Sequence, residues 1–273
     1  MKQLMLILSI LNFAYHGFAC DCDVPKPALE FFESDYVFEG KAVSKIYSAD
    51  SLTYTVKFEV FKHYKSGDNP DFLNYELPAE GGFIGSFTSC NWNVELGEYW
   101  LVYSKEIGGE QKFSFYCSNS KPVNGNHKIS NAEQKVLNNG NALDISKYRY
   151  HYYQAKPITN LDSILSNYNS KNLNLKPKSF APFWIDVDRD GNLTQANLSP
   201  RKTLEFEIID TIYGLNLPKN QYSEPRNAFE SVTLEIVNKL KKWKPYVLYG
   251  KRVKYRTFLN FELDENSEIV IYN

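Results

Sequence analysis

Tyr54-Thr55-Val56-Lys57-Phe58-Glu59-Val60-Phe61 alternates apolar and polar side chains without a break. Successive side chains of an extended chain point to opposite faces. Tyr54, Val56, Phe58 and Val60 therefore share one face and predict a half-buried strand. Working outward, Tyr36 to Val43 is a strand signal before it and Phe72 to Leu77 one after it. Gly81-Gly82 and Gly85 mark an irregular loop ahead of Cys90. Tyr99-Trp100-Leu101-Val102-Tyr103 is a continuous apolar run, the pattern of a buried strand. Phe113 to Cys117 alternates again. Five or six short strands at this spacing predict a small closed barrel, stocked with the aromatic residues that cross-strand pairs favour. A helix follows over Ile129 to Leu137, with Ile129, Ala132, Val136 and Leu137 on one face, Ser130 near its start and Gly140 as its stop.

Residues 141–179 change character. They are rich in Asn, Ser, Lys and Tyr, contain Pro157 and Pro177, and read as a linker with a helical piece within 143–166. A second, α+β domain is expected over 180–273. Phe183, Ile185 and Val187 alternate with polar residues, Asp188 to Asn192 makes a turn, and Leu193 to Leu198 returns, which is a hairpin. Glu224-Pro225 opens a helix carrying Phe229, Val232, Ile236 and Leu240, with Lys239, Lys241 and Lys242 near its C-terminus and Pro245 beyond it. Val253, Tyr255, Thr257, Leu259 and Phe261 form one face of a long strand.

The N-terminus reads as a secretory signal peptide over 1–19. Lys2 supplies the positive start, Leu4 to Phe13 an apolar run, and Gly17-Phe18-Ala19 the small residues before a cleavage site. The run is too short for a bilayer core of about 30 Å. The expected product starts at Cys20 and is secreted or periplasmic. Lipidation of Cys20 is the alternative, although lipoprotein signals usually carry Leu where this chain has Gly17. Removing 1–19 takes away one lysine and leaves a net charge of about −2. No block of like charge points to nucleic acid or an anionic membrane. The four cysteines are Cys20, Cys22, Cys90 and Cys117. An even count in an oxidising compartment reads as two disulfides. Cys20 and Cys22 are too close along an extended chain to bond each other without strain, so each is expected to pair with Cys90 or Cys117. A four-cysteine zinc site is disfavoured by the tight C-x-C spacing and by the lack of close companions for Cys90 and Cys117.

The succession Cys20-Asp21-Cys22, Ser34 to Val43, Phe58 to Lys65, the Cys90 loop, Gly97 to Tyr103 and Cys117 resembles the netrin-like modules of the tissue inhibitors of metalloproteinases in their bacterial form. The resemblance covers about 20–122 and implies a disulfide-stapled OB-type barrel, Cys20 bridged to Cys90 and Cys22 to Cys117. It also implies an inhibitor-like contact. The free α-amine and carbonyl of Cys20 would bind a protease zinc, and Asp21 would enter the specificity pocket, where the family's inhibitors usually carry a small hydroxyl residue. The C-terminal stretch resembles the C-terminal domain of TonB-type energy transducers. A hairpin leads to a helix ending Trp243-Lys244-Pro245, and Gly250-Lys251-Arg252-Val253 opens the last strand. That likeness covers about 180–265 with an insertion at 199–222, and implies binding of an extended partner segment at a sheet edge. The TonB-type membrane anchor and Pro-rich spacer are not seen, so energy transduction is not expected.

Asp186-x-Asp188-x-Asp190-Gly191 imitates the start of an EF-hand loop, but position twelve is Asn197 in place of the bidentate glutamate, and a hairpin turn explains the pattern. Beyond the signal only His63, His127 and His151 remain, with no G-x-S-x-G, H-E-x-x-H or phosphate-binding glycine loop. The expectation is an exported multidomain protein without catalytic residues, cofactor or metal, which binds a protein partner: a zinc metalloprotease, or an envelope protein docked by the C-terminal domain.

Overall fold

The structure is a computed structural model that describes residues 22–81, 85, 92–125, 127–169, 175, 179–199, 207–219 and 224–272. The described chain is mainly β, with fourteen strands and four α-helices. It divides into two compact units, residues 1–143 and 144–273.

In the first unit, helix α1 (Pro27–Glu33) precedes strands β1 (Tyr36–Tyr47), β2 (Thr53–His63), β3 (Phe72–Pro78), β4 (Tyr99–Ile107), β5 (Glu110–Lys112) and β6 (Lys121–Pro122), and helix α2 (Asn131–Asn139) follows. The antiparallel sheet runs β3-β2-β1-β4-β5, with β6 also on β4. Tyr54, Val56 and Phe58 are buried on one face of β2, as the alternation requires, and join Phe38, Tyr75, Trp100 and Val102 in the core. Register shifts on β1 at Glu39/Gly40 and Ala42/Ser44 curve the sheet.

Among the described residues, however, the sheet does not close into a barrel. The strand expected at 113–117 does not form. Phe113 turns into the aromatic core, 4.9 Å from Tyr75 between ring centres. The Ser114 hydroxyl donates to the Tyr116 carbonyl, and Cys117 adopts a left-handed backbone (φ 60°) that no strand permits. Helix α2 starts two residues later than expected, where Ser130 accepts from the Glu133 N–H. Ala132 is exposed and Glu133 takes its place inside. Gly140 permits a close approach: a Cβ there would lie 2.4 Å from the Phe31 ring.

The second unit contains β7 (Arg149–His151), α3 (Leu161–Asn169), β8 (Phe180–Val187), β9 (Leu193–Leu198), β10 (Glu207–Ile209), β11 (Asn216–Pro218), α4 (Ala228–Lys239), β12 (Tyr246–Leu248), β13 (Lys251–Leu263) and β14 (Ile269–Tyr272). The main sheet runs β12-β13-β8-β9, with β7 and β14 also on β13. Residues 141–179 are thus not a linker throughout. Strand β7 pairs parallel with β13, and α3 contributes Leu161, Ile164, Leu165 and Tyr168 to the core. Helix α4 begins three residues after Pro225, where Asn227 caps it by accepting from the Glu230 N–H. Helix α4 lies over β8 and β9, and Phe229, Ile236, Val237 and Leu240 share one core with Ala181, Phe183, Ile185, Ala196, Tyr255 and Phe261. The segment between β9 and α4 carries the β10–β11 hairpin.

Two motifs noticed separately in the sequence are one structural unit. Gly191 (φ +79°) sits against Trp243-Lys244-Pro245: the Trp243 N–H donates to the Gly191 carbonyl at 2.8 Å, and a Cβ on Gly191 would lie 2.3 Å from the Trp243 carbonyl oxygen. Trp243 is itself buried, with its indole N–H on the Leu240 carbonyl. Gly191→Ala combines a left-handed backbone with a steric clash, so it should destabilise the second unit by at least about 1–3 kcal/mol. A urea midpoint equal to wild type, followed by tryptophan fluorescence, would show that this contact is not needed.

Candidate functional site

The residues expected to carry the contact lie at the N-terminus. Cys20, Asp21 and Cys90, and with them the Cys20–Cys90 bridge, fall outside the described residues. Cys22 is bonded to Cys117, with Cα atoms 5.5 Å apart and 95 residues between them in sequence. This is the second of the two pairs implied by the netrin-like resemblance.

Behind this bond the chain is fastened by polar contacts that sequence patterning did not show. Glu30, in the middle of α1, is nearly buried and accepts from the Ser118 hydroxyl (2.5 Å), the Asn119 N–H (2.7 Å) and the Asn119 side-chain amide (2.6 Å). The same amide donates to the Pro25 carbonyl at 2.8 Å. Residues 22–30 and 117–119 are therefore clamped together by a disulfide and four hydrogen bonds. Burial pushes the Glu30 carboxyl above its ordinary range, against the lowering effect of these bonds. At the other end of α1, the Lys65 ammonium donates to the carbonyls of Phe31, Phe32 and Ser34, satisfying the open C-terminal turn. A cavity of about 200 Å3 lies beside the disulfide, lined by Pro25, Glu30, Tyr103, Lys105, Phe113 and Cys117 among others.

A second clamp joins the described residues on either side of Cys90. Glu80, before Cys90 in sequence, accepts from Lys45, from the Tyr47 hydroxyl (2.7 Å) and from the amide of Asn93, after it (3.1 Å). The Tyr54 hydroxyl accepts from the Val94 N–H at 2.9 Å. Burial raises the Glu80 carboxyl, but the bonds from Lys45, Tyr47 and Asn93 prevail and bring it down to about 2.

The EF-hand-like aspartates do not converge. Asp186 is buried between two arginines, Asp190 is exposed, and Asp188 accepts from the N–H groups of Asp190 and Asn192 and from the Asn192 amide, as in a turn. Among the described residues no group of three or more His, Cys, Asp or Glu could hold a metal ion, and no helix is long and apolar enough to cross a membrane. Of the histidines, His63 meets the Pro70 carbonyl at 3.1 Å, and His151 stacks beside Tyr153. No protein-family model matches the chain, and no curated protein matches it.

Glu80 has a depressed folded-state pKa, so its contribution is full above the ordinary glutamate range and is lost as pH falls towards about 2. Discounted for partial exposure, it is worth on the order of 1 kcal/mol. Glu80→Gln should remove that part of the acid-side loss of stability between about pH 4.5 and 2. Superimposable stability–pH curves for wild type and variant would refute the assignment. The opposite sign holds for Glu30, whose raised pKa means that its stabilising protonated form is lost as pH rises through that value.

Proposed function

We propose that the chain is an exported, non-enzymatic protein-binding protein, cleaved after Ala19, whose first unit is a netrin-like OB-type module presenting its N-terminal residues as the contact. The observation that carries this reading is the Cys22–Cys117 bond together with the Glu30–Asn119–Pro25 clamp, which immobilises the chain directly behind Cys20 and Asp21. A pre-ordered contact segment loses little entropy on binding. The target class is a zinc metalloprotease. A neutral α-amine and a carbonyl on Cys20 are competent zinc donors, and Asp21 selects a protease whose specificity pocket supplies a donor, because a bare carboxylate in an apolar pocket is penalised by desolvation.

A second reading, an envelope adaptor with a TonB-C-like second unit, is favoured by one observation. Among the described strands β9 pairs with β8 alone; beyond Leu193, whose N–H donates to the Lys241 carbonyl, its other edge meets no described strand and is where an extended peptide would add. A chain ending at Leu143 that retains every partner of the full chain in pull-downs would eliminate it.

The first reading is tested with mature protein whose N-terminal residue is Cys20, assayed against a panel of zinc metalloproteases. One added alanine before Cys20 should weaken inhibition by about 100-fold or more, roughly the 3 kcal/mol expected for loss of a metal chelate. Equal inhibition by the extended and unextended proteins would rule out chelation by Cys20.

A further inference from the structure

We infer that the second unit carries a peripheral docking surface for an anionic lipid bilayer, centred on Lys156, Lys242, Lys244 and the exposed Ile158. It is separate from the N-terminal contact and does not depend on the reading of that contact. Residues 144–273 carry 19 Lys and Arg against 15 Asp and Glu, whereas residues 20–143 carry 11 against 17. The excess is local. From Ile236 to Phe261 there are eight basic residues and no acidic one, spaced among core positions so that only the fold shows which of them share a surface. The residues of this unit that lie outside the described ones add five basic side chains and one acidic, Glu205, so by composition they do not cancel the excess.

The chain after α4 runs as the middle of three short extended segments. On one side the Leu193 N–H donates to the Lys241 carbonyl, and the Trp243 N–H to the Gly191 carbonyl. On the other, the Lys244 N–H donates to the Lys156 carbonyl at 3.1 Å and the Ile158 N–H to the Lys242 carbonyl at 2.8 Å, with Pro157 opposite Trp243. Side chains of an extended segment alternate. Trp243 is buried, so Lys242 and Lys244 face outward, and the antiparallel pairing sets Lys156 opposite Lys244 and Ile158 opposite Lys242. The three lysines are exposed, and Ile158 is 67% exposed. Lys242 meets the neutral Asn192 Oδ1, which leaves its charge uncancelled. Lys241 and Arg189, also exposed, adjoin this surface. Two acids adjoin it as well, both in the 188–192 turn. Asp188 has its oxygens engaged by the turn itself, and Asp190 is exposed.

Like charges directly opposite each other destabilise a strand pair, and an anionic surface relieves the repulsion between Lys156 and Lys244. Two features favour a bilayer over an acidic protein. The central cations are lysines, whose long aliphatic stems can lie along apolar material while the ammonium stays at the phosphates. Exposed aliphatic side chains also stand among the cations. Ile158 is opposite Lys242, and on the hairpin that follows Val247, 55% exposed, is opposite the exposed Arg252. At a bilayer interface such side chains enter the boundary between headgroups and acyl chains, and the cations beside them meet anionic headgroups. An acidic protein surface supplies the charges without that apolar layer. Contact of this kind needs no membrane-spanning helix.

The test is co-sedimentation of the full mature chain with vesicles of phosphatidylcholine alone or with about one third phosphatidylglycerol. Partitioning into the anionic vesicles only is expected at low salt, with release by sodium chloride at about 0.5 M, which screens the attraction. Combining Lys156→Gln, Lys242→Gln and Lys244→Gln should lower the partition coefficient at least about tenfold. The same three positions changed to Arg should retain binding, which separates lost charge from damaged folding. Lys62→Gln, Lys128→Gln and Lys135→Gln together make the same change of net charge in the first unit and should leave partitioning within about twofold of wild type. Ile158→Ser should weaken it severalfold without altering its salt dependence. The proposal is overturned if anionic and neutral vesicles bind equally, or if the two triple Gln variants behave alike. Capture of the chain by immobilised polyglutamate without binding to anionic vesicles would assign the surface to an acidic protein and overturn it too.

Discussion

The second unit is organised around one buried carboxylate. Asp186 lies between the guanidinium groups of Arg149 and Arg256, and all three residues are nearly inaccessible to solvent. An ionised carboxylate away from water is tolerable only when it is paired and hydrogen-bonded, and removing one partner from such a group typically costs about 3–5 kcal/mol. The consequence is positional. Asp186 belongs to β8, Arg256 to its antiparallel neighbour β13, and Arg149 to β7. A one-residue slip of any of these strands would turn its charged residue to the apolar face against α4. The ion pairs therefore specify register, and they give the short parallel strand β7 a reason to lie on β13. The Arg256 guanidinium also stacks 4.8 Å from the Trp184 ring, which meets Phe258 at 4.4 Å, so the polar face is packed as well as paired.

The first unit solves a related problem with covalent and polar fasteners. Its N-terminal segment has few large apolar side chains to bury before Phe31. In the chain-entropy account, a disulfide across a loop of this length supplies roughly 4–5 kcal/mol by restricting the unfolded chain. Glu30 then makes the local geometry unique, because its two oxygens accept three donors from two adjacent residues. Lys65 and Glu80 play comparable parts, at the end of α1 and between the residues that flank Cys90 in sequence. In each case one long charged side chain satisfies backbone or side-chain groups that regular secondary structure leaves open.

Patterning revealed the elements whose burial repeats along the chain. The alternation in Tyr54–Val60 and in Val253–Phe261 placed the buried faces of β2 and β13, and the hairpin turn at Asp188–Asn192 was legible from its residue types. What periodicity cannot report is the identity of a distant partner. Phe113–Cys117 alternates like a strand, yet its aromatic rings are drawn into the core and its disulfide half-cystine sits in a left-handed turn. Arg149-Tyr150-His151 is too short and too polar to show a strand signal, and it becomes one only because Asp186 and Lys254-Tyr255-Arg256 lie ready to receive it. Glu30 and Glu133 were invisible for the same reason. A lone glutamate on a helix reads as solvated until its partners, Asn119 and Lys121, are brought from remote positions. Gly191 was legible as a turn residue, but the demand for the absence of a Cβ comes from Trp243, more than fifty residues away.

The disulfide also limits where the proposed contact can be. An extended chain advances at most about 3.3–3.6 Å per residue. In the proposed mature chain Cys20 is two residues from Cys22, so its α-amine would lie within roughly 7–10 Å of a point fixed to Cys117. Cys117 is in turn held between the Phe113–Phe115 aromatic cluster and the Glu30 clamp, on the rim of the cavity that includes Tyr103 and Lys105. Any partner that engages the N-terminus must therefore approach this end of the sheet, and it meets the side chains around the disulfide together with Cys20 and Asp21. Recognition by a two-residue probe alone would be weak and promiscuous. Coupled to the rim around the disulfide, the same two residues would, on the proposed reading, gain both added contact area and a fixed orientation, and these separate a selective binder from an exposed peptide end.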